Sequence, residues 1–288
     1  MKFAILFLAI WIQPLGFYNY QHNASAIIQQ FHSFHLKVAL NDTVRYRGVL
    51  MDFNVQSIKE DSLRIICELN RADKQHLRNL DTIIVPNIFY NDFNKYAPFP
   101  LTIGELIAVQ KIIFFSNAIQ AFAAYQNGQL MRWGAVSMGK YTTPTKCGLF
   151  YTNWKSKRTI STVNKSWILK WYFNIDNLNG ISVHQYAMPG YPASHACIRL
   201  MEADAYWFYK WADEWLLNEN DKLKAYGTPV VIFGNYPFGK RKPWLGLIEN
   251  SNQLQIDKSY LLMVIDPYFD TIIERQSQRD SIQNRLYP

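Results

Sequence analysis

The stretch that most constrains this chain runs from His184 to Arg199 and reads HQYAMPGYPASHACIR. It holds two histidines, a serine, a cysteine and an arginine, and proline and glycine separate the first histidine from the other polar residues. Apolar residues at spacings of three and four then predict a helix over 201–217. Cys197 is therefore predicted to lie on a tight loop just before the N-terminus of a helix.

This position favours a reactive thiol. A nearby imidazole or a helix N-terminus lowers the pKa of a thiol from about 8.5 towards neutrality, and the thiolate is the nucleophile. His184, brought back by the loop, is a candidate general base, and the backbone N–H groups of Ala196 and Cys197 are candidate oxyanion donors. The alternative is a structural cysteine with two histidines nearby. The close Ser-His-x-Cys spacing favours the reactive interpretation.

The residues SHACIR at 194–199 resemble the Ser/Thr-His-Gly-Cys signature of the L,D-transpeptidase (YkuD) catalytic domain family, and His184 matches the upstream histidine of that motif. The resemblance covers about residues 107–235 and includes QNGQLMRWGAVSMGKYTTPTKCGLF at 126–150 and GTPVVI at 227–232. There are two departures. Ala196 stands where the family has glycine, and the loop that leads to the cysteine is shorter than in many members.

The resemblance implies a role for each site residue. The catalytic set would be Cys197 as the nucleophile, His184 as the general base, His195 as a supporting residue and Ala196 as a backbone oxyanion donor. The substrate-binding set would be Arg199, Ser194, Gln185 and Tyr186. The planar guanidinium of Arg199 suits either a substrate carboxylate or the bracing of the loop, and both roles stay open. No metal ion and no cofactor is implied.

The implied reaction is a cysteine acyl transfer on peptidoglycan. The enzyme would take the acyl group from a tetrapeptide stem, release D-alanine and pass the acyl group to an amine, which forms a 3-3 cross-link or attaches a protein to the wall. Expected partners are peptidoglycan stem peptides and wall-linked protein, with carbapenem β-lactams as covalent inhibitors. The alternatives are an L,D-carboxypeptidase or amidase that uses water as the acceptor, and a non-catalytic wall-binding protein.

The expected fold is α+β, with a mostly antiparallel β catalytic domain of the L,D-transpeptidase β-sandwich type at 106–235 and one main helix after the nucleophile. A polar, basic surface loop is expected at 155–165. Residues 17–100 form a predicted N-terminal region, in which 56–88 resembles the later half of a LysM wall-binding module. This degenerate segment would either bind glycan or serve only for packing, and the packing role is favoured. Residues 236–288 form a predicted C-terminal extension that is partly helical, is interrupted at Pro267 and frays from Arg275 onward.

The first sixteen residues read as a signal peptide, because a basic residue precedes about ten apolar ones. This run is too short to span a bilayer, so we expect an exported protein of the bacterial periplasm or cell envelope. The net charge of +8 suits an anionic partner, and the alternative is that this charge serves only solubility. No nucleic-acid motif appears, which favours the anionic wall over nucleic acid. Cys67 and Cys147 are expected to be reduced and buried, with a disulfide between them as the alternative.

Overall fold

The computed structural model describes residues 44–50 and 58–286. The predicted signal peptide at 1–16, the rest of the chain up to residue 43 and the start of the LysM-like segment lie outside the described residues. Val44–Pro288 forms one compact unit. Within the part of the chain that is described, no helix combines the length and the apolar character that a membrane crossing needs.

The transpeptidase-like region is built on one nine-stranded sheet with the order β6-β13-β3-β4-β5-β10-β9-β8-β7. Its strands are β3 Ile112–Ser116, β4 Ala121–Gln126, β5 Gln129–Ser137, β6 Gly148–Tyr151, β7 Lys155–Ile160, β8 Ile168–Asp176, β9 Ile181–Gln185, β10 Ile198–Leu200 and β13 Pro229–Phe233. Neighbouring strands are antiparallel except for two parallel pairs, β3 with β13 and β9 with β10. The predicted α+β fold with a mostly antiparallel sheet is confirmed.

The predicted helix after the nucleophile is α2, Glu202–Trp211, which is shorter than the predicted 201–217. Ala212 leaves the helix with an extended backbone, at ψ 147°. The next residue, Asp213, donates its backbone N–H to Thr228 Oγ1 at 2.9 Å, which draws the chain towards the sheet. Two short strands, β11 Leu216–Leu217 and β12 Leu223–Ala225, then form a hairpin. The apolar spacing continues into this hairpin, which explains the overlong prediction.

The surface loop expected at 155–165 is wrong in its first half. Residues 155–160 form β7, which pairs antiparallel with β8 at the edge of the sheet. The strand contains three basic residues, and charged side chains are typical of an exposed edge because they discourage pairing with another chain. Because these residues are polar and basic, the sequence predicted a surface loop where the structure has a strand.

The N-terminal region has a strand, a helix, a short 3-10 helix and a second strand. They are β1 Tyr46–Leu50, α1 Glu60–Asn70, Leu77–Asn79 and β2 Thr82–Pro86, and β1 pairs antiparallel with β2. The Asn70 side chain ties the end of α1 to β2, since it donates to Ile84 O at 2.8 Å and accepts from Ile84 N at 2.7 Å. The likeness of this segment to LysM, and any glycan binding, stay predictions.

The C-terminal extension contains α3 Lys258–Ile265, a 3-10 turn at 266–268 and α4 Phe269–Leu286, so the predicted interruption at Pro267 is confirmed. The fraying expected from Arg275 is wrong. Arg279 Nη1 donates to Glu214 O and to Tyr226 O, each at 2.8 Å, and Arg275 lies 3.8 Å from the centre of the Tyr226 ring. The polar face of α4 therefore binds the hairpin instead of facing only solvent.

One apolar cluster joins all three predicted segments. It includes Ile65 and Ile84 from the N-terminal region, Phe114 and Val231 from the sheet, and Leu261 from α3. The boundaries at residues 100, 106 and 235 remain predictions about sequence segments. In space, these segments share one core.

A buried pair of carboxyl groups links α1 to α2. Glu68 accepts a hydrogen bond from Ala135 N at 2.6 Å, and Asp204 Oδ1 lies 2.7 Å from Arg132 Nε. Burial first, and then the neighbouring Asp204 carboxylate, raise the pKa of Glu68 well above its usual value. Glu68 therefore holds its proton to a higher pH than an exposed glutamate does and, when protonated, can donate it to Asp204.

We expect Glu68→Gln to remove a pH dependence of stability. Since the folded-state pKa of Glu68 lies above its ordinary 4.5, its stabilising contribution is complete below that value and declines as the pH rises through the raised pKa. Between pH 4.5 and the raised pKa, the free energy of unfolding of Glu68→Gln should rise relative to that of the wild type by about 1.4 kcal/mol per pH unit. Urea unfolding from about pH 5 to pH 8 measures the difference. The exposed Glu60→Gln is the matched control, and a constant difference between wild type and Glu68→Gln would contradict the assignment.

Candidate active site

The predicted nucleophile and base lie on one face of a parallel strand pair. The register of β10 with β9 pairs Ile198 with Val183 and Arg199 with His184, so Cys197 lies beside Ser182. Side chains alternate between the two faces of a strand. Val183 and Ile198 enter the core. The side chains of Ser182, His184 and Cys197 therefore share the opposite face.

The sulfur of Cys197 is partly exposed and lies 3.3 Å from Ser182 Oγ and 3.7 Å from Gly180 O. Within the described part of the chain, no hydrogen bond joins this sulfur to the His184 ring. The resting thiol is therefore held by Ser182, whose side chain is fully buried. Ser182 was not predicted as a site residue, and only knowledge of the strand register would have indicated it.

His184 is 3% exposed and its Nδ1 lies 3.1 Å from Gln185 O. Burial lowers its pKa to about 4, and the charge of Arg199 acts in the same direction, although the Gln185 carbonyl opposes both. The ring is thus neutral at pH 7. Because Nδ1–H donates to the carbonyl, Nε2 is left as the proton acceptor. Gln185 contributes its backbone here, and substrate binding by its side chain stays a prediction.

Ser194 anchors the nucleophile loop. It is buried, and its hydroxyl donates to Cys197 O. Its backbone N–H donates to Met138 O at 3.0 Å, and its carbonyl accepts from Lys140 N at 3.0 Å. These bonds fix the loop against the segment that follows β5. A contact between Ser194 and substrate stays a prediction, since its hydroxyl proton is already used within the loop.

Arg199 spans the proline-rich bend that precedes the nucleophile. Its Nη1 donates to Ala187 O at 3.3 Å and its Nη2 to Ala193 O at 3.0 Å. The guanidinium also lies 4.8 Å from the centre of the Tyr186 ring. Of the two roles that the sequence left open, the structure shows the bracing one. Tyr186 packs against Arg199, and substrate binding by either residue stays a prediction.

The N-terminal region supports the same bend from the other side. The carboxylate of Asp73 accepts a hydrogen bond from Met188 N at 2.8 Å, and Gly190 N donates to Arg71 O at 3.0 Å. Gly190 has a φ of 81°, and a Cβ there would lie 2.9 Å from the Leu80 side chain. The bend therefore needs glycine at this position.

His195 is half-buried, and its Nε2 lies 3.1 Å from Lys140 Nζ. An ammonium group only donates, so Nε2 accepts and the ring is neutral. Burial, followed by the charges of Lys140 and Arg199, lowers the pKa of His195. The ring centre lies 5.3 Å from that of Trp167. Neither Lys140 nor Trp167 was predicted as a site residue, although Lys140 lies in the segment that carries the family resemblance.

Residues 110–232 match the family model described as the L,D-transpeptidase catalytic domain, YkuD. The resemblance to the L,D-transpeptidase catalytic domain family is therefore confirmed over these residues. The match contains every predicted catalytic residue and spans the sheet from β3 almost to the end of β13. The flanking N-terminal and C-terminal segments lie outside it.

Three solved structures illustrate the likeness. An L,D-transpeptidase from Stackebrandtia nassauensis is 22% identical, with 44% of this chain and 57% of that chain covered and a TM-score of 0.36. One from Mycobacterium smegmatis is 18% identical, with 43% and 59% covered and a TM-score of 0.35. L,D-transpeptidase 3 from Mycobacterium tuberculosis, in complex with a faropenem-derived adduct, is 21% identical, with 43% and 60% covered and a TM-score of 0.34.

The alignments thus span little more than half the length of these three transpeptidases. No protein with a curated description matches the chain.

Ala196, where this transpeptidase-like domain departs from the family motif, has a φ of 73°. This is the left-handed region that glycine adopts readily and alanine does not. Its carbonyl accepts from Thr145 Oγ1 at 2.9 Å, and Thr145 Oγ1 in turn accepts from Gly139 N at 2.8 Å. Gly139 is required there, because a Cβ would lie 2.3 Å from Thr143 O. The Thr-Pro-Thr segment therefore holds the strained residue in place.

All three cysteines are free. Cys67 is buried as predicted, and burial, followed by the charge of Glu68, raises the pKa of its thiol to about 12. The predicted burial of Cys147 is wrong. Its side chain is exposed and its sulfur contacts Gly234 O at 3.3 Å. Among the described residues, Cys197 is the thiol that combines access with a neighbouring imidazole on its own sheet face.

We expect Ala196→Gly to stabilise the transpeptidase-like domain. Glycine removes the steric cost of the left-handed conformation, about 1–2 kcal/mol, and loses part of that gain to the entropy of the unfolded chain. The net gain in the free energy of unfolding should be up to about 1 kcal/mol, measured by urea denaturation.

Ala193→Gly is the matched control, since Ala193 lies in the same loop and is not among the residues with positive φ. It should lower the free energy of unfolding by about 0.5–1 kcal/mol. Equal losses in both variants would show that the backbone at Ala196 is unstrained.

Proposed function

We propose that the protein is a peptidoglycan L,D-transpeptidase in which Cys197 carries the acyl group. The observation that supports this most is the parallel β9–β10 pair, which puts a partly exposed thiol and a neutral, tautomer-fixed imidazole on one sheet face. The family match over residues 110–232 agrees with this reading. No metal ion or cofactor enters the proposal.

In the first half-reaction, His184 Nε2 takes the thiol proton and the Cys197 sulfur attacks the carbonyl carbon of the third residue of a tetrapeptide stem. The backbone N–H groups of Ala196 and Cys197 stabilise the oxyanion that forms. The imidazolium then returns its proton to the departing amine as the C–N bond breaks. D-Alanine leaves, and a thioester remains on Cys197.

In the second half-reaction, an amine attacks the thioester carbonyl and passes its proton to His184. The C–S bond breaks, an amide forms and the thiol is restored. A stem-peptide amine gives a 3-3 cross-link, and a wall-linked protein is the other acceptor we propose. Because peptidoglycan lies outside the cytoplasmic membrane, the proposal also places the protein in the periplasm or cell envelope.

The resting geometry fits a base that engages during catalysis. Cys197 is held by Ser182 at 3.3 Å, and His184 packs parallel to the Tyr172 ring at a centroid distance of 6.4 Å. Catalytic hydrogen bonds are often long in free enzymes and tighten in the Michaelis complex. To take the thiol proton, the His184 ring has to approach the Cys197 sulfur, which lies at a neighbouring position on the same sheet face.

Mass spectrometry of the protein with defined tetrapeptide stems tests the function. We expect loss of D-alanine, a transient acyl adduct on Cys197 and a cross-linked dimer as product. Cys197→Ala should abolish both adduct and dimer. Cys147→Ala is the matched control, because this exposed thiol lies outside the proposed machinery, and it should retain activity.

Two outcomes would replace the proposal. Trimmed monomers without dimers would indicate an L,D-carboxypeptidase that uses water. A Cys197 thiol that gains mass neither from the stems nor from a carbapenem, whose strained lactam carbonyl resembles the acyl donor, would indicate a wall-binding protein without catalysis.

The pH dependence of Cys197 acylation provides a separate prediction. Only neutral His184 can accept the thiol proton, and its pKa is lowered from 6.5 to about 4. The acylation rate constant with a carbapenem should therefore decrease, as the pH falls, in a step centred near pH 4. Intact-mass time courses measure it, and His184→Gln should remove the step together with most of the rate. A step centred near pH 6.5 would contradict the burial of the base.

A further inference from the structure

Lys140 is a cation at the candidate active site, and it has no acidic partner within residues 44–50 and 58–286. Several lysines form ion pairs, such as Lys111 with Asp213 and Lys258 with Glu105. Among the described residues, no carboxylate lies within ion-pair distance of Lys140. In the part of the chain that the structure describes, its ammonium hydrogen-bonds one side chain, that of His195, whose Nε2 lies 3.1 Å away.

The position of Lys140 is fixed by the nucleophile loop itself. Its backbone N–H donates to Ser194 O at 3.0 Å, and its carbonyl accepts from Thr143 N at 3.0 Å. His195, which it contacts, precedes Cys197 by two residues. These hydrogen bonds hold the backbone of Lys140 against the nucleophile loop, and its half-buried side chain contacts a residue two positions before Cys197.

The surroundings leave this positive charge uncompensated. The His195 ring accepts a hydrogen bond from the Lys140 ammonium and brings no negative charge to it. Arg199, the other cation of the loop, already donates to the carbonyls of Ala187 and Ala193. A partly desolvated ammonium that faces a neutral acceptor has a free donor and attracts an anion.

We propose that Lys140 binds the free carboxylate of the residue that leaves the donor stem. This inference rests on the proposed function. That carboxylate lies next to the scissile amide, about 4 Å from the attacked carbon by standard bond lengths. A stem with one further residue would carry its carboxylate about 3.5 Å farther away. Lys140 would thus favour donors that end one residue beyond the scissile bond.

A matched pair of donors tests the proposal, namely a tetrapeptide stem with a free C-terminal carboxylate and the same stem with a C-terminal carboxamide. Wild type should prefer the acid. Because a hydrogen bond to a charged group contributes about ten- to hundredfold in affinity, Lys140→Met should lower kcat/KM for the acid by about that factor. Its kcat/KM for the carboxamide should change by less than about twofold, so that the preference disappears.

Two control variants sharpen the result. Lys140→Arg keeps the charge and should keep much of the preference for the acid. Lys224→Met removes an exposed lysine of β12 and should leave both donors unaffected. The alkylation rate of Cys197 by iodoacetamide and the urea midpoint of Lys140→Met should match those of wild type, which a role limited to loop support would not allow.

The proposal is overturned if Lys140→Met loses activity equally on both donors, which would indicate that the lysine only supports the loop. It is also overturned if amidation of another carboxylate of the stem, instead of the terminal one, removes the effect of the substitution. An active wild type that does not discriminate acid from carboxamide refutes this inference alone. A wild type that acylates with neither donor refutes the proposed function as well.

Discussion

The candidate site depends on the parallel pairing of β9 with β10. The register that places Arg199 opposite His184 also places Cys197 beside Ser182, so one set of backbone hydrogen bonds brings thiol and imidazole to one face. A shift by one residue would turn the side chains of one strand to the opposite face and bury the sulfur in the core. The choice of Cys197 as the proposed nucleophile thus depends on strand register as much as on the sequence motif.

The bend between these strands is short, and its backbone groups are bonded from several directions. Arg199 binds two of its carbonyls, Asp73 binds the N–H of Met188, and Thr145 binds the carbonyl of Ala196. A loop that carries an alanine in the left-handed region persists only when its surroundings determine its conformation. The N-terminal region therefore contributes to the site by bracing it, and the buried Glu68–Asp204 pair attaches that region to the helix after the nucleophile.

Local signals predicted much of this architecture. The interruption at Pro267 and the helix that follows Cys197 each depend on neighbouring residues, and both are present. The features that were missed depend on distant partners. The basic residues of β7 form a strand because they pair with β8, which comes later in the chain. Ser182 has no distinctive sequence signal, and only the strand register shows that it lies next to the Cys197 sulfur.

The same distinction applies to charge. Sequence alone identified Arg199 as a cation near the nucleophile, but its two carbonyl partners could be known only from the path of the bend. Lys140 lies more than fifty residues from His195 in the sequence, and no sequence feature predicted that its ammonium contacts the His195 ring. Once both positions are known, Arg199 is seen to bind backbone carbonyls, whereas Lys140 contacts the His195 ring and has no carboxylate partner among the described residues. Because the two groups have the same charge but different partners, we propose different roles for them: Arg199 braces the bend, and Lys140 binds an anionic substrate.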